Sequence, residues 1–237
     1  MTRRRWIADE FSGDRAALLG AHAQHLVRVL RAEVGQSFDL VTDGAVRNGR
    51  IVSVSDDRVE FELGQAAASP VLPPLTVLLA IFKFDRMEWA IEKCTELGVQ
   101  RILPVIARRS DAHLARAAAK RVERWRRIVQ QASEQSRRAS APEVGEPLRL
   151  KIAWSEPAAH RIVLSEAEPG VTLRDALESH DRGDSVLLSI GPEGGWTEEE
   201  LAGFAANGWI AASLGETILR AETAAIAATA IAISVMD

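Results

Sequence analysis

From residue 75 onward, short apolar runs alternate with helical stretches, and this limits the chain to an α/β layout on a mainly parallel sheet. Leu75 to Phe82 is a nearly continuous apolar run, the pattern of a strand covered on both faces. Asp85 to Leu97 follows with helical spacing and meets Gly98, a residue suited to the left-handed turn that closes a helix. Arg101 to Ile106 reads as the next strand, Ala112 to Arg138 as a long basic helical stretch, and Arg161 to Leu164 as another strand. Strands Val186 to Ile190 and Ile210 to Leu214 and a helix from Thr223 to Met236 complete the pattern. No segment repeats.

The first 70 residues follow a different period. Phe38 to Gly44, Arg50 to Val54 and Arg58 to Leu63 alternate in the manner of short strands, with Ser55-Asp56-Asp57 as the turn between the last two. Ala21 to Leu30 is the one helix-like stretch among them, ending near Gly35. Ala66 to Pro70 followed by Pro73-Pro74 interrupts both periodicities and reads as a linker. The expected organisation is a small β-barrel over residues 1–70 and an α/β domain over 74–237.

A net charge of −4 argues against a nucleic-acid partner only if the charge is evenly spread. It is not. Residues 101–151 hold 13 Lys/Arg against 5 Asp/Glu, whereas 152–237 hold 4 against 14. A basic belt of this kind can dock a phosphate backbone, although a solvated helix face is the commoner reading of a charge run. Trp125 and the Ser133, Gln135 and Ser136 cluster interleave the arginines and favour RNA. The basic start Arg3-Arg4-Arg5 is followed by Asp9 and Glu10 rather than an apolar stretch, so a signal peptide is not expected. The longest small-apolar run, Ala224 to Met236, is too short to span a bilayer, so no membrane partner is expected and the cytoplasm is the expected location. The single cysteine, Cys94, leaves no internal disulfide and no cysteine-cluster metal site.

Three strand ends carry the chemistry. Leu187 to Ile190 runs into Gly191-Pro192-Glu193-Gly194-Gly195-Trp196, and Thr197 with Glu200 three residues on is a capping box that starts a helix. The glycines let backbone approach a ligand closely, and the helix start offers free N–H donors. The spacing is not that of the dinucleotide fingerprint, and as a bare pattern a ligand-free turn is equally compatible. The second strand end runs into Gly215 to Glu222 and places Arg220 and Glu222 just before a helix. Leu164-Ser165-Glu166 ends the third in the same fashion. Open α/β folds bind ligands beyond the carboxyl ends of their strands, so three such loops argue together.

The histidines and the cysteine carry less. His22 and His25 share one helix turn but lack a third ligand nearby, so structure or RNA contact is the better reading. His113, His160 and His180 are scattered. Cys94 lies mid-helix between Ile91 and Leu97 and reads as a buried, inert thiol.

At these residues the sequence resembles the bacterial 16S rRNA uridine-N3 methyltransferases (ribosomal RNA small subunit methyltransferase E) of the SPOUT superfamily. The matching stretches are His25 to Arg31, Glu92 to Val99, Arg109-Ser110, Arg124-Trp125 and Glu134 to Arg138, with Ile190 to Gly195, Leu214-Gly215 and Ile218 to Ala224 the strongest. They run through the whole chain in order; the loop Ala45 to Gly49 after Asp43-Gly44 diverges.

The resemblance implies an N-terminal PUA-like barrel that helps hold RNA, a C-terminal domain with a deep trefoil knot, and a homodimer. It implies S-adenosylmethionine as cofactor, S-adenosylhomocysteine as product, no metal, and a substrate at uridine 1498 (rRNA numbering) of 16S ribosomal RNA in the small subunit. Leu164, Ser165, Glu166, Ile190, Gly191, Gly194, Gly195, Leu214 and Leu219 become the expected cofactor contacts. Arg220 and Glu222 become candidates for stabilising the uracil anion and removing the N3 proton. Arg3, Arg4, Arg28 and Arg31 become the expected RNA contacts of the small domain, with Arg109, Arg124 and Arg127 those of the belt. Two other classes share part of this pattern. A non-catalytic RNA-binding or assembly factor would keep the barrel and belt without a use for the glycine loop. A SPOUT enzyme acting on tRNA or on a ribose hydroxyl would share the pocket but not His25 to Arg31.

Overall fold

The computed structural model describes residues 5–67, 72–167 and 170–237, and the chain divides into two compact units, 1–71 with 133–141 and 72–132 with 142–237. In the first unit, strands β1 (Trp6–Ile7), β2 (Glu10–Ser12) and β3 (Arg15–Leu19) precede a helical segment. Strands β4 (Ser37–Thr42), β5 (Ala45–Val54) and β6 (Arg58–Ala67) follow it. Among the described residues they form one sheet in the order β1-β4-β5-β6-β3-β2, antiparallel except for the β1–β4 pair. Trp6, Leu18, Leu26, Leu40, Ile51 and Phe61 fill its core. Gly49 is required by that packing, because a Cβ there would stand 2.3 Å from the Leu40 side chain.

The helical segment differs from a plain α-helix over Ala21 to Leu30. It is α1 (Gly20–Gln24) continued by a π turn over His25–Val29, with the Leu30 N–H reaching the His25 carbonyl. A π turn seats one extra residue, and Arg31 directly after it sits at φ 50. His22 and His25 both pack edge-on to Trp6, at 5.9 and 5.6 Å between ring centroids. His22 also lies 3.0 Å from Asp9 and 3.3 Å from the fully buried Glu134 carboxylate. Residues 133–141 are further tied to this unit by Arg5, whose N–H donates to the Glu134 carbonyl at 3.3 Å and whose guanidinium donates to the Arg137 carbonyl.

The second unit opens with β7 (Leu75–Ala80), α2 (Phe84–Leu97) and β8 (Arg101–Ile106). Gly98 ends α2 at φ 115, with N–H bonds from Gly98 to Thr95 and from Val99 to Cys94. The basic stretch is α3 (Ala112–Ala117), one 3-10 turn and α4 (Val122–Gln135). Asp111 caps α3 by accepting the His113 and Leu114 N–H groups, which holds its carboxyl below the usual range. Next come β9 (Glu143–Val144), β10 (Leu148–Arg149), α5 (Leu150–Ala153), β11 (His160–Leu164), α6 (Leu173–Ala176) and β12 (Val186–Ile190). Helix α7 (Glu198–Ala206), β13 (Ile210–Ala212) and α8 (Ala221–Met236) end the chain. The sheet is parallel throughout in the order β10-β8-β7-β12-β11-β13, with β9 beside β8. The observed class is therefore α/β with a mainly parallel sheet, beside a strand-rich first unit.

Helix α8 starts two residues earlier than the sequence suggests. Arg220 is its N-cap and forms no side-chain capping bond, so Glu222 lies inside the first turn rather than ahead of it. Nor is the helix buried all round. Ala221, Ala225, Ala228, Ala232 and Met236, spaced three and four apart, form its buried stripe, while Ile226, Ile231 and Ile233 are half-covered. Cys94 of α2 meets that stripe: it receives the Thr229 hydroxyl at 3.3 Å, and burial pushes its thiol up to about 11. Among the described residues no helix is long and apolar enough to cross a membrane.

Candidate functional site

Strands β11, β12 and β13 lie side by side and parallel, so the loops that leave their carboxyl ends emerge on one edge of the sheet. Those three loops close around a cavity of about 380 Å3, within the range of about 300–1,000 Å3 usual for small-molecule sites. Leu164, Ser165 and Glu166 line it from the first loop, Ile190, Gly191 and Gly195 from the second, and Leu214, Leu219 and Arg220 from the third.

Trp196 fixes the first two loops to each other. Its indole N–H donates to the Leu164 carbonyl at 3.0 Å, its ring packs on Phe204 at 5.1 Å, and its side chain is part of the cavity wall. The ring lies so close to Gly191 that a Cβ there would stand 3.2 Å from it. Gly195 adopts φ 68, and a Cβ there would stand 3.1 Å from Glu166 Oε1. Both glycines therefore let the loop fold onto its neighbour.

Gly194 does not line the cavity. Its Cα faces the Arg109 side chain, and Arg109 Nη1 donates to the carbonyls of Gly194 at 2.7 Å and Trp196 at 3.2 Å. At the start of α7 the N–H groups of Thr197 and Glu200 are already taken up. The capping box of Thr197 and Glu200 is formed in both directions, and Glu200 Oε1 also accepts the Arg108 N–H at 2.7 Å. The loop backbone, not the helix start, faces the cavity.

Glu222 is also absent from the wall. Its side chain is 6% exposed and reaches Arg86 Nη1 at 3.4 Å, and it is Arg86, from the first turn of α2, that lines the cavity. Arg86 and Trp196 were not legible as site residues. An arginine in a first helical turn reads as a solvated surface charge, and a tryptophan after two glycines reads as core.

A model of the RNA methyltransferase domain matches residues 69–233. Ribosomal RNA small subunit methyltransferase E of Synechocystis is 34% identical over 221 residues, covering 90% of this chain and 71% of the relative. The protein of that name from Mycobacterium bovis is 34% identical over 225 residues, covering 92% and 85%. The chain belongs to the ribosomal RNA small subunit methyltransferase E family. The family member from Neisseria gonorrhoeae, solved bound to S-adenosyl methionine, superposes with a TM-score of 0.84 at 29% identity over 96% of this chain and 95% of that one. A methyltransferase from Legionella pneumophila in complex with the same cofactor gives 0.84 at 29% identity, over 100% and 97%.

For a methyltransferase E family member, the arginines expected to meet RNA fall into distinct settings. Arg3 and Arg4 lie outside the described residues. Arg28 is exposed and 3.5 Å from Asp56, and Arg31 is exposed after the π turn. Within the belt many charges are paired: Arg108 with Glu199, Arg126 with Glu123 and Glu146, and Arg124 with Glu88 through both carboxylate oxygens at 2.8 Å. Arg138 is largely buried, its Nε donating to the Ser140 carbonyl, and burial lowers it to about 10. Arg127 is exposed and, among the described residues, has no ion-pair partner.

Proposed function

We propose that this chain methylates N3 of a uridine in 16S ribosomal RNA, at position 1498 in rRNA numbering, using S-adenosylmethionine. The observation that carries the reading is the closure of three strand-ending loops into one cavity. Its composition fits the cofactor. Leu164, Ile190, Leu214 and Leu219 offer apolar walls to an adenosyl group, and Gly191 and Gly195 leave room for it at the backbone. Glu166, Glu193 and Glu216 in the same walls favour a ligand that carries positive charge. The bound cofactor supplies a methyl group activated by a cationic sulfur, which leaves as the neutral thioether of S-adenosylhomocysteine. The protein's own tasks are then to hold the uracil in line and to favour the N3 anion. Arg220 lines the cavity, is exposed and has no ion-pair partner among the described residues, which supports a role for it toward RNA.

The same reading assigns the first unit to a PUA-like barrel that holds RNA through Arg28 and Arg31, with Arg127 meeting phosphates from the belt. It assigns residues 74–237 to a trefoil-knotted methyltransferase domain that works as a homodimer, with an assembled small ribosomal subunit as substrate. Support for the dimer is the half-covered pair Ile226 and Ile233, seven residues apart and so on one face of α8. Mass spectrometry of 16S ribosomal RNA from a deletion strain tests the function. One methyluridine should vanish and return with the wild-type gene; an unchanged methylation pattern refutes it.

A further inference from the structure

Arg86 and Glu222 form a pair whose two ends differ. Glu222 belongs to the first turn of α8, its side chain is 6% exposed, and its buried Oε2 has no hydrogen-bond partner among the described residues. Arg86 is 34% exposed, lines the cavity, and has Glu222 as its one ion-pair partner among the described residues. A buried carboxylate oxygen without a donor is costly, so its retention calls for a reason. A guanidinium carries five N–H donors in one plane, and among the described residues a single 3.4 Å ion-pair contact engages that of Arg86. The pair is therefore anchored at its back and open at its front. Arg220 is the opposite case: it is exposed and, among the described residues, has no side-chain partner.

The geometry points to Arg86 as the catalytic residue that stabilises the uracil anion, with Glu222 as its positioning residue rather than the base. This rests on the uridine-N3 reading above. A base must come within hydrogen-bond reach of the proton it takes, and Glu222 does not reach the cavity wall. The N3 proton instead passes to water. The electron pair it leaves spreads over N3, O2 and O4, and the N3 lone pair then forms the new bond to the methyl carbon as the methyl–sulfur bond breaks and its electron pair stays on sulfur. A planar guanidinium suits a carbonyl oxygen lying in the plane of the uracil ring. Held in place before the charge develops, it needs little reorganisation to meet it.

The test is single-turnover methylation of the ribosomal substrate by the full-length protein saturated with cofactor. It compares wild type, Arg86→Gln, Arg86→Lys and Glu222→Gln on RNA carrying either uridine or 5-fluorouridine, whose N3 proton is more acidic. Arg86→Gln should lower the rate roughly 10²–10³-fold, the usual size for one preorganised donor. Its cofactor affinity, measured by calorimetry, should stay within about twofold. The defect should shrink on 5-fluorouridine, shrink with rising pH, and be relieved in part by added guanidinium ion. Glu222→Gln, still able to accept from Arg86, should lose less rate and keep the wild-type pH profile.

Three results overturn the assignment. Equal defects of Arg86→Gln on both RNAs would remove its role toward the anion. Lost cofactor affinity with unchanged pH behaviour would assign Arg86 to the cofactor's carboxylate. A pH profile flattened by Glu222→Gln would make Glu222 the base. Wild-type protein that fails to methylate uridine N3 sinks the underlying reading itself, and that is visible before any variant is compared.

Discussion

Replacing Trp196 by Phe removes the bond that ties two walls of the cavity together while keeping an aromatic ring against Phe204. The lost indole-to-Leu164 hydrogen bond is worth about 1 kcal/mol net. The missing ring atoms uncover a few tens of Å2 of apolar surface, adding roughly 1 kcal/mol at about 25 cal/mol per Å2. A loss of about 2 kcal/mol lowers the melting temperature by roughly 4–8 °C in a domain of this size. If closing the two loops anew draws on binding energy, the same figure sets a ceiling of roughly thirtyfold on the loss of cofactor affinity. The control is Trp209→Phe. Trp209 packs on the same Phe204 at 5.0 Å and donates its indole N–H to the Trp154 carbonyl at 3.1 Å, yet it does not line the cavity. Scanning calorimetry should show both variants destabilised alike, and titration calorimetry should show weaker cofactor binding in Trp196→Phe alone. Wild-type affinity in Trp196→Phe, or equal loss in both, refutes the claim that this bond shapes the cavity.

Gly195→Val should abolish cofactor binding, since a branched side chain at φ 68 is strained and presses on Glu166; calorimetry with wild-type affinity would remove the glycine loop from the site. Arg127→Glu should weaken RNA binding and flatten its salt dependence without altering melting, whereas Arg124→Glu should also lower stability by breaking its pair with Glu88. An unchanged salt slope for Arg127→Glu would leave the belt as a solvated face. Ile226→Asp should weaken dimerisation and activity together by putting a charge into an apolar contact, and sedimentation showing that active wild-type protein is a monomer at micromolar concentration would refute this.

What the sequence made legible were features held by local rules. Leu75 to Phe82 reads as a buried strand because the run is nearly all apolar, Gly98 as a helix end because glycine suits the left-handed turn it takes at φ 115, and Thr197 with Glu200 as a helix start because the capping box is written in the residues. Of the cavity, the three loops were legible because each ends a strand, whereas Leu164, Ser165, Glu166, Ile190, Gly191, Gly195, Leu214 and Leu219 were singled out within them by the family resemblance. What stayed hidden depends on distant partners. The strands Trp6–Ile7 and Glu10–Ser12 are too short to show a period. The start of α8 is misplaced because Arg220 supplies no capping signal while Thr223 imitates one. Arg109, reading as a phosphate contact, turns inward to brace Gly194, and Arg86 enters the wall from a helix more than 70 residues before the loops it joins.

The attachment of residues 133–141 to the first unit means that this unit is not encoded in one stretch. Its buried Glu134, partner of His22 and of the Arg5 N–H, follows most of α4 in the chain. During synthesis the strands of this sheet are therefore complete when the first stretch ends at residue 71, while the segment that finishes their unit ends only 70 residues later, at 141. At about 5–20 residues per second, that is a wait of roughly 4–14 seconds. A fragment cut at the linker after residue 71 would keep every strand of the sheet yet lack Glu134 and the Arg137 carbonyl. It should emerge less stable than the same residues in the whole chain, so the linker marks a change of pattern in the sequence but not a place where the protein can be divided.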